Sequence, residues 1–359
     1  MKLALVQDFL RVGGTERQTV ALARAFAAAG HEVLVVTFRP GGPLARELPA
    51  TIRHFALQPL DLHLDWFAPG LGGTLRAFAP DVVLLMGRMA NCHGTRILAG
   101  VPGARVVSTF RTGKPIPLLY RKTLQRADAI VANSAEAAGR ITREHGLDPS
   151  RIHVIRNALV APAEPTPDAR ARVRAGLGAT PDTVVFLCTA MLRPGKGHRR
   201  LVEAAARLPR DFPWVLWIAG EGTERQACES RARTLGLAGH VKFLGLRRDT
   251  SELLAAADIA VLASDLESLP NFLVEAQWLG LPVIACDVAG VSETFVPGVS
   301  GVLVHQGNEV ALAGAMVNLA RDPARRESLS AAARIHARAE FDPARQNARY
   351  LELFATLAR

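Results

Sequence analysis

One rhythm constrains this chain more than any other feature, and it runs twice: short apolar runs alternate with longer amphipathic stretches, interrupted by a single proline-rich segment. Leu3–Val6, Val33–Phe38, Val82–Met86, Arg105–Thr109, Ala129–Ala132 and Ile152–Ile155 have the length and apolar content of strands. Several of the intervening stretches carry helical periodicity, clearest over Thr15–Ala29. Uninterrupted apolar runs suit strands buried on both faces, so the pattern predicts an α/β fold with a parallel sheet covered by helices. After Ala161-Pro-Ala-Glu-Pro-Thr-Pro167 the rhythm restarts with Val184–Thr189, Val215–Ala219, Val241–Leu244, Ile259–Ala263, Val283–Ala285 and Val302–Val304. A linker near 160–170 therefore predicts two doubly wound, Rossmann-like domains, 1–165 and 166–340. Residues 341–359 are expected to form a C-terminal helix that crosses back to the first. The length of 359 residues agrees, since one core seldom organises so much chain.

Several function classes fall away. Cys92, Cys188, Cys228 and Cys286 form no C-x-x-C pair, and the ten histidines show no H-E-x-x-H spacing, so buried reduced thiols and no metal site are expected. The stretch after Met1-Lys2 is too short for a signal peptide, and no apolar run reaches the roughly 18 residues of a membrane span. A cytoplasmic protein is expected. The net charge of +10 favours an anionic partner. With no recognition-helix motif or aromatic-interleaved basic strand, that partner is not expected to be nucleic acid.

Doubly wound sheets bind ligands beyond the carboxyl ends of their strands, which directs attention to particular loops. After the first strand, Asp8–Glu16 reads DFLRVGGTE, with Gly13 and Gly14 before a helix that Thr15 would cap. Glycines there allow close backbone approach, and helix-start amides suit a phosphate. The turn is neither a G-x-G-x-x-G fingerprint nor a Walker loop, which argues against a dinucleotide-dependent oxidoreductase. Further on, the loop Ala190–His198 offers Arg193 and Lys196 beside a helix start, a cradle for a diphosphate. The segment Ser264–Leu279 places Glu267 in a loop, Ser268 as a cap, Pro270 at a first helical position and Glu275 on the helix. Amides around Asn271, Phe272 and Leu273 would point at a phosphate, and a carboxylate can grip a vicinal diol.

Taken together, GGTERQ at 13–18, RPGKGH at 193–198, ESLPNFLVE at 267–275 and LGLPVIACDVAGVSE at 279–293 resemble the retaining family 4 glycosyltransferases. The resemblance covers essentially the whole chain and implies the GT-B architecture, two Rossmann-like domains with an inter-domain cleft. It implies that Glu275 binds the donor ribose and that Glu267 holds hydroxyls of the transferred sugar. Lys196 would bind the diphosphate, Gly13 and Gly14 would approach the donor phosphate, and the backbone near Leu246 would receive the base. Ser268, Leu269, Asn271, Phe272 and Leu273 complete the expected donor set. Three positions depart from the family pattern: Met191 stands where an arginine is common, Arg111 where a histidine is common, and Asn157-Ala158 where Asn-Gly is usual. Arg193 becomes the substitute cation, and Arg111, Lys196 and Glu267 the expected catalytic groups.

The function expected from the resemblance is transfer of a hexose or N-acetylhexosamine from a nucleoside diphosphate sugar, UDP-linked, to a hydroxyl acceptor. No cofactor is expected beyond that co-substrate, and retention of configuration is implied by family alone. No D-x-D motif is present, so leaving-group charge would fall to cations and amides. The acceptor would be a saccharide, lipid-linked or other hydroxyl compound of cell-surface glycan or glycolipid synthesis. The mixed basic and apolar segment Arg111–Arg126 could bring it from an anionic membrane surface at the inner face, or could pack as an ordinary amphipathic helix. A sugar-nucleotide epimerase of the same shape and a non-catalytic carbohydrate-binding protein are the competing readings.

Overall fold

The structure is a computed structural model that describes residues 1–111, 115–159 and 164–359. Lys114, in the basic segment, and Ala161–Ala163, in the proline-rich stretch, lie outside the described residues. The chain divides into two compact units, Met1–Val160 with Asp342–Arg359, and Ala161–Phe341.

In the first unit the elements follow as β1 (Lys2–Gln7), α1 (Gly14–Ala28), β2 (Glu32–Thr37), β3 (Arg53–Ala56), α2 (Leu71–Phe78), β4 (Val82–Leu85), α3 (Arg88–Cys92), α4 (Gly94–Gly100), β5 (Arg105–Phe110), α5 (Leu118–Arg126), β6 (Ala129–Ala132), α6 (Ala135–His145) and β7 (Ile152–Val154). Its seven strands are parallel in the order β3-β2-β1-β4-β5-β6-β7. The order reverses between β1 and β4. Both faces of the sheet are covered, with Leu3, Leu5, Val33 and Val35 packed in one apolar layer and Ala4, Val6, Leu34 and Val36 in another. This two-sided burial is why the strands read as solid apolar runs. The exception is β3, absent from the sequence reading: it is an edge strand whose Arg53 and His54 face solvent.

The second unit repeats the plan with α7 (Ala169–Gly176), β8 (Val184–Thr189), α8 (His198–Ala205), β9 (Trp214–Ala219), α9 (Arg225–Thr234), β10 (Val241–Gly245), α10 (Thr250–Ala256), β11 (Ile259–Leu262), α11 (Asn271–Trp278), β12 (Val283–Asp287), β13 (Gly301–His305), α12 (Glu309–Arg321) and α13 (Pro323–Glu340). Six parallel strands run in the order β10-β9-β8-β11-β12-β13. Here the reversal falls between β8 and β11. The final helix, α14 (Pro343–Leu357), belongs to the first unit and buries Tyr350, Leu353 and Phe354. Tyr350 and Phe354 meet Phe26 of α1 edge-on, with ring centroids 6.2 and 5.6 Å apart. All four cysteines are buried and unpaired. Among the described residues no helix is long and apolar enough to cross a membrane.

Candidate functional site

In the second unit, β8 and β11 pair over Phe186–Ile259 and Leu187–Ala260, and beyond that point each strand runs into its own loop. Crevices of this kind, at the reversal of strand order, are where open α/β sheets take ligands. The loop after β8 carries Arg193 and Lys196, and the loop after β11 carries Glu267. The two loops are fastened together: the Asp265 amide donates to Gly195 O at 2.9 Å, and Lys196 Nζ donates to Glu267 Oε1 at 2.7 Å. Gly197 makes the approach possible. It has φ +68°, and a Cβ there would lie 1.8 Å from Ala263 O, so no other residue fits without moving one loop.

The ion pair is largely withdrawn from water, with 17% of the Lys196 side chain and 9% of Glu267 exposed. Arg193 and Met191 stay exposed. Sequence reasoning passed over Arg200, in the first turn of α8. Its guanidinium holds Asp265 Oδ1 at 2.5 Å and Ala263 O at 3.2 Å, bracing the loop that presents Glu267. In sequence it is one arginine among several in HRR, with nothing to separate it from a solvated face. His198 is fully buried beside Lys196, and burial together with that cation pushes its pKa down to about 4, so it is neutral.

Two expectations about caps are corrected. Thr15 does not cap α1: Gly13, in extended backbone, is the N-cap, and Thr15 lies inside the first turn, where its carbonyl accepts from the Thr19 hydroxyl at 3.0 Å. Ser268 does not cap α11, and Pro270 is not its first residue: Pro270 is the N-cap, with the ring-fixed φ of −72° at the entry, and Asn271 begins the helix. The Leu273 amide closes on Pro270 O at 3.1 Å, so that one of the three expected phosphate-facing amides is engaged within the turn. Leu269 and Phe272 are buried, whereas Ser268, Asn271 and Glu275 are half-buried. Leu246 follows β10 and is 60% exposed. Among the described residues no three His, Cys, Asp or Glu side chains gather as around a metal ion.

In the first unit, half-buried Gly13 and exposed Gly14 end the loop after β1 at the start of α1. Arg111 follows β5, and its position is more constrained than a cleft-facing cation would need. One terminal nitrogen donates to Asn157 Oδ1 at 2.5 Å and the other to the Tyr350 hydroxyl on α14. The basic segment divides by face: α5 buries Tyr120, Thr123 and Leu124 and exposes Leu118, Leu119, Arg121, Lys122 and Arg126. Its apolar inner face is the ordinary packing half of an amphipathic helix. Leu118 and Leu119, 65% and 50% exposed, are not.

Comparison with known proteins places this geometry. The family model described as "Glycosyl transferases group 1" matches residues 170–336, and that described as "Glycosyltransferase Family 4" matches residues 12–160. The lipopolysaccharide core biosynthesis glycosyltransferase LpsE of Rhizobium meliloti is 30% identical over 325 residues, covering 90% of each chain. A D-inositol 3-phosphate glycosyltransferase of Jonesia denitrificans is 30% identical, covering 90% of this chain and 87% of its own. Among solved structures, Anabaena HepE in complex with UDP-glucose superposes with a TM-score of 0.86 at 22% identity, over 99% of this chain and 100% of HepE. A glycosyltransferase of Rickettsia africae gives 0.85 at 20% identity, over 100% and 98%. Those two likenesses establish the fold, two Rossmann-like domains of the GT-B type. By its family matches and its full-length relatives, the chain belongs to the group 1, family 4 glycosyltransferases.

Proposed function

We propose that this transferase moves a hexose or N-acetylhexosamine from a UDP-sugar to a hydroxyl acceptor with retention of configuration, and that the second unit binds the donor. The observation that carries this reading is the Lys196–Glu267 pair at the strand-order reversal of that unit. A cation and a carboxylate held at one crevice offer a phosphate partner and a hydroxyl partner side by side. Amides at the start of α11 add positive potential without a metal. Glu275, on the first turns of α11, is the proposed ligand of the ribose diol, Leu246 marks the proposed base pocket, and Arg193 is the proposed second phosphate cation. Gly13 and Gly14 belong to the same proposal, as the donor-phosphate contacts of the first unit. Arg111 is proposed to orient the acceptor or the departing phosphate.

The acceptor is proposed to be a saccharide or lipid-linked glycan of cell-surface synthesis, as the name of the Rhizobium relative suggests for that protein. Exposed Leu118 and Leu119 beside Arg121, Lys122 and Arg126 support peripheral contact with an anionic membrane at its cytoplasmic face. Thermal-shift screening of UDP-, GDP- and ADP-sugars tests the donor, because a ligand of the folded state raises its stability with concentration over Kd. Stabilisation by a UDP-sugar and by UDP is expected. Stabilisation by GDP- or ADP-sugars alone would replace the base, and epimerised donor formed without acceptor would replace the reaction.

A further inference from the structure

Asp8 stands at the other reversal of strand order, in the first unit. Strands β1 and β4 are paired as far as Val6 and Leu85, and the Met86 amide continues the ladder to Val6 O at 2.9 Å. Immediately beyond, Asp8 follows β1 and Gly87 follows β4. The Asp8 carboxylate accepts from two successive amides of the first turn of α3, Ala90 at 2.6 Å on Oδ1 and Met89 at 3.1 Å on Oδ2. Its own carbonyl accepts from the Phe38 and Arg39 amides, which fixes the backbone as well. Gly87 is the complement of this side chain: a Cβ there would lie 2.2 Å from Asp8 Oδ1. The residue nevertheless keeps partial exposure, at the place where a parallel sheet opens to a ligand.

We propose that Asp8 binds and orients the hydroxyl that attacks the donor, whether of the acceptor or of water, by accepting its hydrogen bond. The inference rests on the transferase reading above and adds a group to its acceptor side. Enclosure by protein pushes the Asp8 pKa up to about 7, against the two amide bonds that pull it down. The titratable groups that face it are Glu16 on α1, Asp65 ahead of α2, Cys92 on α3 and Tyr120 on α5. Arg11 pairs with Glu16 and Asp65, and Arg39 with Asp65, so the nearest cations are engaged with the neighbouring carboxylates.

The sign of the linkage tests whether Asp8 is the group that keeps its proton, and the rate of UDP release tests what it does. Unfolded, the group gives up its proton near its ordinary value of 3.8; folded, it keeps the proton to about 7. Between those values the folded state binds more protons, so the contribution of Asp8 to stability declines as pH rises. An amide side chain at this position has no such decline. Asp8→Asn and the wild type should therefore be compared by thermal unfolding at pH 5 and pH 8, with UDP affinity and UDP release from UDP-glucose in water as parallel readouts. The stability difference is expected to move in favour of the variant from pH 5 to pH 8. UDP affinity is expected to stay at the wild-type value, and UDP release at pH 8 to fall about tenfold or more, a barrier change of about 1.4 kcal/mol or larger. The wild-type rate is expected to climb through pH 7 and the residual rate of the variant to stay flat. A variant that loses stability relative to wild type on going to pH 8, or that releases UDP at the wild-type rate, overturns the proposal. Failure of wild type to bind UDP would instead sink the donor reading, whereas wild-type UDP affinity with an unchanged release rate in Asp8→Asn would sink the Asp8 proposal alone.

Discussion

Replacing Lys196 by methionine keeps the aliphatic stem and deletes the charge, leaving Glu267 in a setting where only 9% of its side chain meets water. Breaking a buried pair from one side costs about 3–5 kcal/mol, and the residual exposure of Lys196 places this case near the lower figure, about 3. A domain of about 150–250 residues loses about 2–4 °C per kcal/mol, so the transition that carries the second unit should fall by about 6–12 °C. Glu267→Gln on top of Lys196→Met removes the stranded charge and should restore most of that loss. Donor binding should not return with it. Charged hydrogen bonds are worth about 1.5–3 kcal/mol, so UDP-glucose affinity should drop about ten- to a hundredfold in both the single and the double variant. Scanning calorimetry gives the first quantity and titration calorimetry with UDP-glucose the second. An unchanged transition in Lys196→Met, or a double variant that binds UDP-glucose as wild type does, would refute the reasoning.

Glu275→Ala should weaken UDP-glucose binding about ten- to a hundredfold, measured by the same titration; full affinity in the folded variant would remove the diol assignment. Turnover should survive saturating EDTA, because cations and helix amides are proposed to carry the leaving-group charge. Loss that magnesium or manganese restores would show otherwise. Arg111→Ala should lower turnover by about tenfold or more with UDP affinity nearly intact. It should also cost some thermal stability, since bonds to Asn157 and the Tyr350 hydroxyl go with it. Wild-type turnover accompanied by that stability loss would assign Arg111 to the fold.

What could be read in advance follows from where the physics is local. Twelve of the thirteen strands among the described residues announce themselves as apolar runs, most fully in the sheet interiors, where Val, Ile, Leu and Ala must fill both faces, as in Val33–Val36 and Ile259–Leu262. The strand Arg53–Ala56 is silent because one paired edge needs little apolar surface. The loops of the candidate site are legible for the same reason as the strands they end. Pairings across long separations are not: Lys196 and Glu267 stand 71 residues apart, and Met89 and Asp8 stand 81 apart. The shift from Thr15 to Gly13 is a two-residue error of helix entry and that at Pro270 a one-residue error, both at helix starts whose N-cap offers no side-chain hydrogen bond. Asp8 and Arg200 were missed because a single charged residue beside a strand or helix has no periodicity to mark it.

The return of α14 to the first unit has a consequence for the order in which the protein can be made. Tyr350, Leu353 and Phe354 complete an apolar layer that begins with Leu3 and Phe26, yet they leave the ribosome only after the whole of the second unit. Between the two parts of that layer the ribosome must synthesise all of Ala161–Phe341. At about 5–20 residues per second this interval lasts on the order of 10–40 s. Throughout it, the side of Phe26 that later meets Phe354 has no partner from its own unit. The second unit, continuous in sequence, can close its core before the first, although synthesis of the first unit starts earlier. A stalled or prematurely terminated chain would therefore expose apolar surface at its N-terminal end, and a chaperone that holds nascent chains should bind there until residue 354 has emerged.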